Sequence, residues 1–194
     1  MLELNGQALS LDQIQAVAHR HLEVRLAHEA AERMRAAREL VDRIVAEEVP
    51  TYGVNTGFGK LSDVHIPPSE IEDLQHNLVR SHACGVGELL SPEETRVMLL
   101  LRANVLAKGL SGARVEVAQT LLQMLAADVL PCVPEKGSVG ASGDLAPLAH
   151  LALVAIGEGQ ASFRGQIVPG GIAMSEAGIS PLRLRAKEGL ALLN

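Results

Sequence analysis

Ala141-Ser142-Gly143-Asp144 carries the most unusual chemical potential in this 194-residue chain. If the backbone bends sharply there, the amide nitrogen of Gly143 reaches the carbonyl carbon of Ala141, and closure gives an imidazolone ring. Gly143 has no Cβ, so its nitrogen can approach at dihedral angles closed to other residues. Ala141 is too small to block the attack. The β-hydroxyl of Ser142 can leave as water, turning its Cβ into an exocyclic methylene. The product is an electrophile, which ordinary side chains do not supply. The same residues also fit plainer arrangements. One is a Gly-rich turn in which Ser142 or Asp144 caps the following helix. Another is a phosphate cradle at a helix N-terminus, although there is no Gly-Lys-Ser/Thr ending and no strand followed by GxGxxG. On spacing alone, ring and capped turn both stay open.

Two further segments hold polar groups suited to chemistry. Tyr52 is the only tyrosine and has no local competitor for a phenolic role. It lies in Pro50-Thr51-Tyr52-Gly53-Val54-Asn55-Thr56-Gly57-Phe58-Gly59, whose glycines and lack of helical period predict a loop. A phenol with a pKa near ~10 needs activation by its surroundings to act as a base; the plainer role is packing. Ser81-His82 lies near a helix end, where a capping or otherwise satisfied histidine is the ordinary expectation. His19, His21, His28, His65 and His76 have no metal-ligand spacing with Cys or carboxylates. His150 is expected to pack along the helix after the Gly-rich loop. Cys84 and Cys132 are not a close pair and read as small, buried or half-buried residues.

The elements that must position these groups are mostly helical. Asn5-Gly6 between Leu2–Asn5 and Gln7–Leu9 predicts a small hairpin. Ser10 reads as an N-cap with Gln13 three residues on. From His28 to Glu48, Ala30, Met34, Ala37, Val41, Ile44 and Val45 fall on one helical face. Pro67-Pro68-Ser69-Glu70 opens a helix reaching about His82. Ser91-Pro92-Glu93-Glu94 starts another that runs to Lys108 and stops at Gly109. A further helix covers about Ala113 to Ala127, and Leu130–Pro134 cannot be helical throughout, because each proline biases the residue before it towards extended geometry. A helix from about Leu145 to Ile156 follows the Gly-rich loop. Ala161–Phe163 and Gln166–Val168 form a hairpin around Arg164-Gly165. Lys187–Asn194 reads as a short helix or apolar connector. Its apolar end lacks a polar tail and looks as though it should continue.

Composition bounds the function. Hydrophobic residues make up 47% and aromatics 2%, so the core must be aliphatic. The net charge of −6 and the lack of a basic patch argue against nucleic-acid binding. No apolar run reaches membrane-spanning length. No secretion signal stands at the N-terminus. A cytoplasmic protein with reduced thiols is expected.

Gly137-Ser138-Val139-Gly140-Ala141-Ser142-Gly143-Asp144-Leu145-Ala146-Pro147-Leu148-Ala149-His150 closely resembles the signature of the aromatic amino acid ammonia-lyases. Tyr52-Gly53-Val54-Asn55-Thr56-Gly57-Phe58-Gly59 is similar to a second motif of that family. The likeness extends over essentially the whole chain. Asn77-Leu78-Val79-Arg80-Ser81-His82-Ala83-Cys84-Gly85-Val86-Gly87 resembles the branch that acts on histidine, where phenylalanine and tyrosine enzymes tend to carry Phe-Leu or His-Leu at residues 81 and 82. A polar imidazole substrate needs hydrogen-bond partners once it is desolvated.

The resemblance implies a mainly α fold, the N-terminal domain of the ammonia-lyase (fumarase/aspartase-like) architecture, with small β-hairpins and Gly-rich loops. It implies one domain over 1–194 and the 4-methylidene-imidazol-5-one group (MIO), formed autocatalytically from Ala141, Ser142 and Gly143. No metal and no dissociable cofactor are implied. The reaction would be non-oxidative deamination of L-histidine to trans-urocanate and ammonia. Tyr52 would be the base and Asp144 would assist ring closure. His82, Asn194 and Gly59 would contact the substrate. Family members are longer, continue into a helical bundle and assemble as homotetramers. Residues from that missing part complete the pocket, so this chain alone is expected to turn over little substrate. It would otherwise serve as a folding or assembly module, or belong to a lyase or aminomutase for another aromatic amino acid. The tripeptide chemistry predicts a mature protein lighter than its sequence by two waters, about 36 Da. Peptide mass spectrometry should place that deficit within Ala141–Gly143; full mass there would leave an ordinary serine at 142.

Overall fold

The computed structural model describes residues 1–138 and 143–194. The chain is mainly helical, as expected. Its centre is the pair α4 (Pro92–Ala107) and α5 (Val115–Ala127). Ser91 and Glu94 close the expected capping box at the start of α4, satisfying two amides that a helix cannot satisfy internally. Leu99, Leu100, Ala103 and Leu106 of α4 and Val117, Leu121 and Met124 of α5 are buried in one aliphatic cluster. Both helices are apolar on more than one face because other elements cover them on several sides.

Around this pair lie α1 (Leu11–Ala18), α2 (His28–Ala46), α3 (Ile71–His82) and α6 (Leu145–Ala155). Ser10 and Gln13 form the other predicted capping box, at α1. Helix α3 is entered through a 3-10 turn at Pro68–Glu70. Helix α2 buries Ala30, Met34 and Val41 as its periodicity predicts. It also buries Arg38 on the same stripe.

The β structure is sparse. Strands β1 (Leu2–Leu4) and β2 (Val24–Leu26) pair in parallel. This corrects the hairpin expected around Asn5-Gly6. The Asn5 side chain instead accepts a bond from the Gln7 amide at 3.0 Å, a local turn that does not send the chain back on itself. Pairing with β2 buries Leu2 and Leu4, which an exposed two-residue hairpin would leave in water. Strand β3 (Val86–Leu89) runs antiparallel to β5 (Pro134–Lys136). Strand β4 (Leu130–Pro131) joins the hairpin of β6 (Gln160–Phe163) and β7 (Gln166–Pro169), which turns at Arg164-Gly165 as predicted. Helix α7 (Gly170–Glu176) has no sequence counterpart above; its two leading glycines are poor helix formers.

The last helix, α8 (Glu188–Leu193), packs against α3 and α6. Its first residue, Glu188, is fully buried. The carboxylate accepts from Arg114 Nε and Nη2, both at 2.8 Å, and from the main-chain amides of Arg114 at 3.0 Å and Arg185 at 2.8 Å. The hydrogen bond from Glu188 raises the Arg114 pKa above its ordinary value. Arg38 Nη1 lies 3.8 Å from the same carboxylate and donates to the Ala186 carbonyl at 2.8 Å. Removing the acid would strand a half-buried guanidinium and two amides. Glu188→Ala should therefore cost about 3–5 kcal/mol in urea unfolding. Glu188→Gln, which keeps an acceptor for the amides, should cost less.

Candidate active site

A cleft of about 650 Å³ opens where the end of β5, the start of α6, one side of α4 and the end of α8 meet. Arg102, Lys136, Gly143, Asp144, Pro147 and Asn194 are among its walls. Three of the residues singled out from the sequence, Gly143, Asp144 and Asn194, thus share one cavity although 143 and 194 are far apart in sequence. Ala141 and Ser142, the rest of the tripeptide, lie outside the described residues.

Gly143 has φ +116°, a conformation that side-chain-bearing residues rarely adopt, with open space where a Cβ would stand. Asp144 occupies the N-cap position of α6 but its side chain makes no capping bond. Its main-chain carbonyl accepts from the Leu148 amide at 3.3 Å. The side-chain cap allowed for Asp144 is therefore not made, and its carboxyl is exposed at the cleft.

On the other wall, Arg102 Nη1 donates to the main-chain oxygens of Ala191 at 3.3 Å and Asn194 at 2.9 Å. Burial pushes the Arg102 pKa below its ordinary value. A larger cavity, about 820 Å³, lies elsewhere and holds none of the predicted residues. Its charges answer one another: Arg20 and Arg96 pair with Asp128, and Arg164 pairs with Glu176.

Tyr52, Gly59 and His82 do not line the cleft. Tyr52 is 59% exposed and meets Phe58 edge to face, with ring centroids 6.0 Å apart. Its loop is braced by buried Asn55, whose Oδ1 accepts from the Thr51 amide at 2.8 Å and whose Nδ2 donates to the Val49 carbonyl at 3.0 Å. Gly59 is exposed at the head of a 3-10 turn, Gly59–Leu61. His82 ends α3 and is half-buried. Its Nδ1 sits 2.8 Å from the Leu78 carbonyl. A carbonyl only accepts, so Nδ1 carries a proton, and Nε2 is left for a further partner. Cys84 is exposed rather than buried, and Cys132 is half-buried.

His150 has a definite partner that its sequence position did not reveal. Its Nε2 accepts from the Gly85 amide at 3.0 Å, tying α6 to the chain leading into β3. Burial lowers its pKa below the ordinary histidine value. Among the described residues no His, Cys, Asp or Glu cluster could hold a metal ion, and no helix is long and apolar enough to cross a membrane.

Residues 9–194 match the aromatic amino acid lyase family. The chain belongs to that family. It is 56% identical over 191 residues to histidine ammonia-lyase of Myxococcus xanthus, covering 98% of this chain and 38% of that protein. It superposes on the crystal structure of histidine ammonia-lyase from Trypanosoma cruzi with a TM-score of 0.92 and 43% identity, over 100% of this chain and 37% of that one. Tyrosine aminomutase from Streptomyces globisporus gives a TM-score of 0.92 at 38% identity, over 99% of this chain and 36% of that one. The chain thus spans well under half the length of these relatives.

Within this chain, Gln75, Arg102, Arg114 and Glu188 were not picked out from sequence. Only the place of Arg38 on an apolar helical stripe signals a buried ion. The His150 geometry carries a pH consequence. A depressed folded-state pKa means the unfolded chain binds the proton first as pH falls. Stability from neutral His150 is therefore complete above the unfolded value of about 6.5 and declines as pH drops below it. His150→Gln keeps an acceptor and removes the titration. Between pH 7 and 5, unfolding free energy should fall less steeply in the variant than in the parent; parallel slopes would show that His150 does not titrate on unfolding.

Proposed function

We propose that the chain is the N-terminal, MIO-bearing portion, residues 1–194, of an enzyme that deaminates L-histidine to trans-urocanate and ammonia. The observation that carries this is the joint presence of the Ala141-Ser142-Gly143 motif, with Gly143 at φ +116°, and Ser81-His82 at the position that separates the histidine branch. Two of the relatives quoted above, at 56% and 43% identity, are named histidine ammonia-lyases. The glycine conformation fits the prosthetic group, because ring closure needs a residue 143 whose nitrogen can turn back towards residue 141. The group, formed from Ala141, Ser142 and Gly143, would supply an electrophilic carbon towards the substrate amine.

The chain's own residues would bind, orient and move protons around that carbon. His82, with Nε2 as acceptor, suits the N–H of a substrate imidazole. Tyr52 would take the β-proton, and its phenol would need a nearby cation or donor to ionise near neutral pH. Asn194 would hold the substrate from the opposite wall, and Gly59 would let backbone approach it closely. Asp144, without a capping bond, is available to relay protons during ring closure. The same reading implies a cytoplasmic homotetramer with a small-molecule substrate, and no metal, nucleic acid or membrane partner. Tyr52 and His82 stand apart from the cleft that holds Gly143 and Asn194, so further chain or a second subunit would bring the two halves of the site together. For that reason the 194 residues alone should release little urocanate.

The likeness to tyrosine aminomutase favours a second reading, the same chemistry on another aromatic amino acid. Assaying the full-length polypeptide with L-histidine, L-phenylalanine and L-tyrosine separates the two. The histidine reading expects urocanate absorbance only with L-histidine, and Tyr52→Phe should lower kcat by about 10²–10⁴-fold. Turnover of tyrosine in preference to histidine would replace it with the second reading.

A further inference from the structure

Helix α8 has only six residues, Glu188–Leu193. A helix that short does not persist in water, because its first turn costs more order than its few hydrogen bonds return. Its N-cap residue, Lys187, sits at φ 70° and gives no side-chain cap. Yet α8 delivers Asn194 to the cleft. Its two ends are satisfied from distant parts of the chain. Gln75, fully buried on α3, accepts from the amides of Gly189 at 2.9 Å and Leu190 at 3.4 Å through Oε1. These are first-turn N–H groups with no partner inside the helix. At the other end the Arg102 guanidinium binds the main-chain oxygens of Ala191 and Asn194. A cation there also meets the negative end of the helix dipole.

Neither side chain is comfortable apart from these bonds. Gln75 Nε2 and Arg102 Nε are buried with no hydrogen-bond partner among the described residues. A leucine or methionine would avoid that cost. The polar atoms therefore contribute through α8, and not through packing alone.

We propose that Gln75 and Arg102 are positioning residues that cap α8 from outside and so fix Asn194 in the cleft beside Gly143 and Asp144. Because α3 also ends in His82, Gln75 joins the helix bearing one substrate-contact candidate to the helix bearing another. The catalytic consequence rests on the lyase reading; the capping does not.

The test uses Gln75→Leu, Arg102→Met and the conservative Arg102→Lys in the full-length polypeptide. Hydrogen exchange of amides 189–194 is followed together with kcat and KM for L-histidine, normalised to folded protein carrying the mass deficit at 141–143. Exchange of those amides should rise at least about tenfold in Gln75→Leu and Arg102→Met, with α5 unchanged. The kcat should drop about tenfold with KM held within about twofold, since Asn194 is misplaced rather than removed. Arg102→Lys should recover part of both. Should Gln75→Leu fail to fold, Arg102→Met carries the test alone. Protection at 189–194 that survives both substitutions overturns the proposal, and so does faster exchange with kcat per folded molecule unchanged. A parent protein that never turns over L-histidine refutes the histidine reading of the proposed function. The positioning is then judged by exchange and by the NMR signal of the Asn194 side-chain amide, which must change in Arg102→Met for the proposal to stand.

Discussion

A carboxylate with no exposure to water governs where the last helix can lie. Desolvating Glu188 would destabilise the fold by several kcal/mol if its oxygens lacked partners. They do not lack them: two guanidinium N–H groups of Arg114 and two main-chain amides converge on the carboxylate. Arg114 is itself the residue before α5, so the bond ties the start of α8 to a central helix of the core. Arg38 adds α2 to the same cluster through the carbonyls of Gly112 and Ala186. Because every donor has a fixed direction, the turn before α8 has one place to go.

From that anchored turn, α8 reaches parts of the chain far apart in sequence. Leu190 packs on the Tyr52 loop at Gly53, where φ is +75° and a Cβ would stand 2.7 Å from Leu190 Cδ2. Gln75 meets it from α3, whose other end is His82. Arg102 meets it from α4. The helix also packs on α6, which begins directly after Gly143 and Asp144. One short element therefore carries Asn194 and touches supports of Tyr52, His82, Gly143 and Asp144. That explains how groups spread from position 52 to position 194 hold a common frame without a disulfide or a metal among the described residues. It also explains why a mostly aliphatic core suffices, since orientation at the site comes from a few buried polar bonds.

Much of this was legible before any coordinates. The capping boxes at Ser10–Gln13 and Ser91–Glu94 marked helix starts because their chemistry is local. The hairpin at Arg164-Gly165 was readable for the same reason. The parallel pairing of β1 with β2 was not, because Asn5-Gly6 is a local turn signal and the burial of Leu2 and Leu4 is not local. Helix α7 was hidden by its own glycines. Of the site, the tripeptide motif and Ser81-His82 were visible as patterns. Their separation into a cleft holding Gly143 and Asn194 and an exposed Tyr52 was not, since residue spacing carries no distance across the fold. Gln75, Arg102 and Glu188 look like ordinary surface polar residues in sequence; only their partners, 74 to 115 positions away or next to a buried turn, reveal them.

The elements on either side of the tripeptide segment, β5 and α6, bear on the proposed chemistry. A backbone that is to bend back on itself needs ends that do not yield, or any compression relaxes into the neighbours. Here one end leaves β5, held by β3 through the pairs Val86–Lys136 and Leu89–Pro134. The other end enters α6, whose Ala149, Leu151, Ala152 and Val154 are fully enclosed in the core. His150 closes the frame by accepting the Gly85 amide, so α6 is fastened to the chain leading into β3, the strand that pairs with β5. A neutral imidazole does this better than a charged one, because only the neutral ring has a nitrogen free to accept. The burial that lowers the His150 pKa thus belongs to the same arrangement that presents Gly143 to the cleft.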